Sequence, residues 1–109
     1  MIKLLQKACP NNAELVVECG FVPDKIVITN QTTLITLQWN KNLESGDYYQ
    51  IVAAGDRTLV SSGGPTLIDG SDKTNYTTSS FGFVLPVITN INDTTGELLD
   101  IEVYREDQV

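Results

Sequence analysis

The chain predicts an all-β fold: a single-domain antiparallel β-sandwich or barrel, jelly-roll-like, with about seven or eight short strands and little helix. Three observations carry this. Apolar residues recur at a period of two in short runs, as in Lys25-Ile26-Val27-Ile28-Thr29 and Leu99-Asp100-Ile101-Glu102-Val103. The runs are bounded by clusters of Gly, Asn, Asp and Ser, the residues of tight turns. No stretch keeps a helical period for more than about ten residues. Most runs are apolar on one face only, which indicates antiparallel pairing, because strands of parallel sheets are apolar on both faces. The 109 residues suffice for one domain, burying about two-thirds of the surface that the unfolded chain exposes.

Residues 1–12 read as an N-terminal arm that ends in the loop signal Pro10-Asn11-Asn12 and contacts a partner chain; residues 13–109 form the domain. Residues 13–18 are a strand, broken by Gly20. Residues 24–30 are a β-branched strand with Ile26 and Ile28 on one face. Asn30-Gln31-Thr32 reverses the chain into a strand with Ile35, Leu37 and Trp39 on one face and Thr36 and Gln38 on the other. These two strands pair as a hairpin. After a loop over 40–47, residues 48–54 alternate Tyr49, Ile51 and Ala53 against Tyr48, Gln50 and Val52. Gly55-Asp56 turns into Thr58-Leu59-Val60, and Ser61-Ser62-Gly63-Gly64-Pro65 separates that run from Thr66-Leu67-Ile68. Residues 69–80 are the longest polar segment and project from the body. Strand character resumes over 81–87, where Pro86 lacks an N–H for the ladder and calls for an edge position or a bulge. After the turn 92–96, residues 97–104 place Leu99, Ile101 and Val103 on one face and Asp100 and Glu102 on the other.

Charge and composition weigh against several functions. A net charge of −7 with seven scattered Lys and Arg opposes binding to a phosphate backbone. No run approaches the roughly twenty apolar residues of a membrane helix. The start, up to Cys9, imitates a lipoprotein signal, but Lys7 interrupts an apolar core already short of the usual stretch of about 7–15 residues. The chain therefore reads as unprocessed, and Cys9 and Cys19 as a reduced pair. The Asn-x-Thr matches at Asn30, Asn75 and Asn92 then mark only polar turns.

Histidine is absent, which removes the usual proton shuttle and the commonest metal ligand. A nucleophile at Ser61 or Ser62 lacks both a base and the strand–elbow–helix setting of hydrolases. Asp100 and Glu102 share a strand face, as a glycosidase pair would, but they alternate with core residues and read as a solvated face. Asp69-Gly70-Ser71-Asp72-Lys73-Thr74-Asn75 offers oxygen ligands without the EF-hand spacing, and Lys73 sits inside it. No catalytic residue, metal site or cofactor site is assigned. Trp39, Tyr48, Tyr49 and Phe81 are candidates for a sugar platform or a protein hot spot; Trp39, facing the same way as Leu37, belongs in the core. Contact with other chains falls to Ile2, Leu4 and Leu5, to Tyr48 on the face opposite Ile51, to Arg57 and Arg105 as partners for carboxylates, and to Asp72 in the polar segment.

The run Gly20-Phe21-Val22-Pro23-Asp24-Lys25-Ile26-Val27-Ile28-Thr29-Asn30, then Leu37-Gln38-Trp39, Ala53-Ala54-Gly55-Asp56-Arg57-Thr58, Gly63-Gly64, Gly82-Phe83 and Val103-Tyr104-Arg105, forms a pattern of turns and strand starts over residues 13–106. In this pattern the chain resembles small all-β virion proteins of tailed bacteriophages, in particular capsid decoration (cement) proteins. The resemblance implies a non-enzymatic protein, made in the host cytoplasm, that binds the capsid exterior. It implies contact with the major capsid protein, self-association as a homotrimer and stabilisation of the shell against internal DNA pressure, with no nucleic acid or membrane bound directly. A tail or baseplate module and a carbohydrate-binding sandwich are the alternatives.

Overall fold

The computed structural model describes residues 2–11, 13–44, 46–69 and 81–106. Among them lie nine strands and no helix: β1 (Ile2–Ala8), β2 (Leu15–Glu18), β3 (Lys25–Asn30), β4 (Thr36–Asn40), β5 (Tyr48–Ile51), β6 (Arg57–Val60), β7 (Thr66–Ile68), β8 (Gly82–Leu85) and β9 (Leu98–Tyr104). They form a six-stranded sheet in the order β1-β9-β3-β4-β5-β6 and a three-stranded sheet in the order β2-β8-β7, antiparallel throughout. The sandwich is the one the alternation predicts, and neither sheet closes into a barrel.

The core follows from the pleat. Val103, Ile26 and Trp39 lie side by side across β9, β3 and β4, and Ile101, Ile28 and Leu37 form the next row. All point inward, where Val17 of β2 and Phe83 and Leu85 of β8 meet them, fully buried. Each such side chain contributes roughly 1.5–3 kcal/mol on burial. The last strand, β9, inserts between β1 and β3, so the two ends of the chain hold each other.

This placement corrects the reading of residues 1–12. They are no separate arm: all seven residues of β1 pair with β9, and Cys9 N–H donates to the Glu97 carbonyl. Leu5 is half-buried against the core instead of awaiting a partner, while Ile2 and Leu4 stay exposed on the outer face. Lys3 occupies an inward position, and its Nζ donates to the Cys19 carbonyl at 3.3 Å. Apart from Leu5, the inward positions of β1 are the exposed Lys3 and Lys7, which can stand there because β1 overhangs the smaller sheet.

Two further expectations change. Tyr48, not Tyr49, faces inward: the β4–β5 register pairs Gln38 with Tyr49, which sets Tyr48 beside Trp39 and buries it. Both tyrosines are amphipathic, so alternation within β5 alone permits either face. The strand β8 is central rather than at an edge; it ends at Leu85, and Pro86 escapes the ladder by following it. Asp72 and the rest of the oxygen-rich segment after Asp69 lie outside the described residues.

One end of the sandwich is closed by two buried asparagines. Asn30 Oδ1 accepts from the Thr32 and Thr33 N–H groups at 2.7 and 3.0 Å, and its Nδ2 donates to the Ile91 carbonyl and to Glu97 Oε1 at 2.8 and 3.1 Å. Asn92 Oδ1 accepts from Ile88 N–H, and its Nδ2 donates to the Pro86 carbonyl. These bonds tie the β3–β4 turn to the 86–97 segment and seat Ile91 in the core. At the other end, Gly82 lets β8 pass close to β2: a Cβ there would collide with the Val17 carbonyl.

Replacing Asn30 by Ala orphans several buried groups at once and should cost roughly 2–4 kcal/mol in urea unfolding. Gly82→Ala should cost at least about 1–3 kcal/mol through the clash with β2.

Candidate interaction surface

The residues with chemical potential are dispersed. Ser61 and Ser62 are exposed in the turn after β6, and Trp39 and Tyr48 point into the core, so the four candidate aromatics do not gather into a platform. Glu102 is engaged, accepting from Tyr104 Oη at 2.9 Å, while Asp100 stands exposed. Among the described residues no group of three or more Cys, Asp and Glu could hold a metal ion. Cys9 and Cys19 are both buried and not joined; their thiols lie against the carbonyls of Ile91 and Phe21.

A cleft of about 430 Å³ lies at the end opposite the asparagines, lined by Phe21, Val22, Asp24, Lys41, Phe81, Arg105 and Glu106. Its charges compensate one another. Lys41 Nζ stands 3.4 Å from Glu106 and 3.9 Å from Asp24, and Glu106 N–H donates to Asp24 Oδ2 at 2.8 Å. Arg105 is exposed here, as the sequence suggests, beside the exposed ring of Phe81.

A second candidate surface is the outer face of the six-stranded sheet. Register carries one row across all six strands: Leu4, Glu102, Val27, Gln38, Tyr49 and Leu59. The small sheet packs on the opposite side, so nothing within the described residues covers this row. Leu4 and Leu59, at its two ends, are 68% and 53% exposed. The flanking cations are stacked on rings: the Arg57 guanidinium lies 3.9 Å from the Tyr49 ring centre, and Lys25 Nζ 5.2 Å from that of Tyr104. Each stack holds a long side chain flat against the sheet and adds about 0.5–1 kcal/mol at an exposed position. The face is flat, mixed in polarity and rich in the Tyr and Arg side chains that anchor protein contacts.

Of the seven contact candidates read from the sequence, Ile2, Leu4 and Arg57 fall on this face. Leu5 and Tyr48 turn toward the core, and Arg105 lies at the cleft. Tyr49, one of the four aromatic candidates, also falls on this face, whereas Tyr104, Lys25 and Leu59 were missed. Leu59 was legible as part of a strand, but the stacking of Arg57 on Tyr49 depends on the β5–β6 register, which pairs Ile51 with Arg57. No family model, no curated protein and no solved structure matches the chain.

Burial raises the pKa of the Cys9 thiol, with smaller contributions from Glu97 and Asp93, and burial likewise raises that of the Tyr48 phenol. Tyr104 is also raised, chiefly by its hydrogen bond to Glu102. These groups hold their protons more tightly folded than unfolded. Their contribution to stability is therefore complete below the ordinary thiol and phenol values, about 8.5 and 10, and is lost as pH rises through the higher folded-state values. The urea midpoint should fall from pH 8 toward pH 11, and Tyr48→Phe should flatten that fall. At neutral pH neither thiol should react with a thiol reagent until the chain unfolds.

Proposed function

We propose that this protein is a non-enzymatic capsid decoration protein of a tailed bacteriophage, binding the outer surface of the head and stabilising the shell through subunit contacts. The observation that carries the reading is the uncovered outer face of the six-stranded sheet, with exposed Leu4 and Leu59 at the ends of its cross-strand row and its two cation-stacked tyrosines. The resemblance of the turn-and-strand pattern to that of decoration proteins favours the same assignment. Six strands at about 4.8 Å spacing and ~18 Å long make a face of only roughly 430 Å², modest beside a standard interface of about 800 Å² per partner. A single copy therefore holds weakly, and self-association as a homotrimer presents three such faces to the shell and raises avidity without new contacts. Contact with the major capsid protein then favours the assembled shell over the dissociated one by linkage. The acidic remainder keeps the decorated particle soluble.

The test is binding of the purified chain to expanded heads lacking it. Saturation at a copy number matching the capsid lattice supports the reading. No binding overturns the head assignment, and a few copies per virion by quantitative mass spectrometry would move the protein to the tail or baseplate. Tyr49→Ala should weaken binding by about thirtyfold, the loss of a typical hot spot of ~2 kcal/mol, and Leu4→Asp should weaken it further. Point variants are preferable to deletion of residues 1–8, because that deletion would unpair β9.

A further inference from the structure

The two ends of the sandwich differ in charge. At the cleft end, Asp24, Lys25, Lys41, Arg105 and Glu106 crowd together. At the asparagine-closed end, three described segments, residues 31–35, 52–55 and 87–90, include no Asp, Glu, Lys or Arg, in a chain with 7 basic and 14 acidic residues. The three segments are neighbours. Thr36 pairs with Ile51, which sets the β3–β4 and β5–β6 turns side by side, and Thr33 Oγ1 donates to the Asn90 carbonyl at 2.7 Å. Leu34 and Val52 are exposed on these turns, Leu34 by 58%, and Val87 is exposed on the flank, where it lines a cavity with Ser62 and Gly63. Among the described residues the charged neighbours are acidic and flank these segments: Asp56 after one turn, Asp93 accepting from Asn90 N–H, and Glu97 accepting from Asn30 Nδ2.

Leu34 has a second peculiarity. Its φ is +60°, in the left-handed region that a bulky L-residue enters at a steric cost. Gly, Asn or Asp would sit there more comfortably, and an exposed Leu gains nothing from the core in exchange. Position 34 thus carries a side chain that stability alone would not place there, displayed on an uncharged turn. Depletion of charge at the centre, exposed apolar groups and a polar rim are the marks of an interface core.

We infer that this end is where copies of the chain bind one another. The charge distribution selects the occupant. A basic partner would be drawn to the carboxylates that dominate the rest of the surface, whereas two chains of net charge −7 repel everywhere except where neither presents a charge. An uncharged apolar end is the surface through which like-charged molecules can meet. The inference rests on the proposed self-association and supplies its surface, leaving the outer sheet face free for the shell.

Sedimentation of the purified full chain over ~1 μM to ~1 mM tests it. The expected result is a reversible, concentration-dependent oligomer that tightens when salt rises from ~20 to ~500 mM, because screening removes repulsion between acidic copies. Leu34→Asp and Val87→Asp should each weaken association by about tenfold or more. Leu34→Asn should weaken it too while unfolding at the same or a higher temperature, since Asn adopts the left-handed conformation more readily; a merely structural Leu34 would not separate the two readouts. An oligomer unaffected by all three variants overturns this surface but leaves self-association standing. A monomer at every concentration and salt overturns both, with head binding through Tyr49 still measurable on its own. An oligomer that dissociates with rising salt also overturns the inference, for it would be held by ion pairs.

Discussion

Six strands cannot be covered by three. Everything distinctive about this molecule follows from that mismatch between its sheets. The small sheet buries the middle of the large one, where β9, β3 and β4 carry side chains with no exposure at all, and leaves the flanks overhanging. At one flank β1 is exposed along its length except at Leu5; at the other, β6 is exposed except at Val60. An overhanging strand has weak demands on its inward side, so β1 can place Lys3 and Lys7 there. Those inward lysines are also a known means of discouraging edge-to-edge pairing. The sheet is thus kept from growing at β1 even as its outer face stays available.

How far the sequence could be read depended on where each strand sits relative to the covered middle. In β3, β4 and β9, burial on one side and solvent on the other forces strict alternation, and Ile26, Ile28, Leu37, Trp39, Leu99, Ile101 and Val103 all lie where that alternation places them. β1 lacked the constraint and so looked like an arm. β5 carries two adjacent tyrosines that suit either face, and only its register against β4 decides between them. Pro86 signalled an interruption correctly, but the strand ends before it instead of moving to an edge. The candidate surface was the least legible part, because a row across six strands joins residues from Leu4 to Glu102 and exists only once every register is fixed.

The polar interior makes a related point. Asn30 and Asn92 are the buried polar side chains of the described residues, and each has its donors and acceptors matched. In the sequence both look like ordinary turn residues, and Asn30 indeed caps the β3–β4 turn through its Oδ1. Its Nδ2, however, spans to Ile91 and Glu97, more than sixty positions along the chain. A local turn device and a long-range clamp are the same side chain. Such a fully satisfied bond set tolerates little displacement, since any shift would strand a buried donor or acceptor at a cost of about 1–3 kcal/mol.

That rigidity bears on the uncharged end. The segments that display Leu34 and Val87 are tied to the asparagine clamp, so their side chains are presented by a fixed scaffold instead of by loops that must order on contact. An interface of small area cannot offset much ordering entropy, which runs to about 0.5–1.5 kcal/mol for each immobilised side chain. A surface of a few apolar groups is therefore useful only if it is held still beforehand. The left-handed Leu34 fits the same logic: its strain is borne by the folded chain before any contact is made, and the clamp, which fixes Asn30 and Thr33 on one side of it, is what keeps the turn from relaxing.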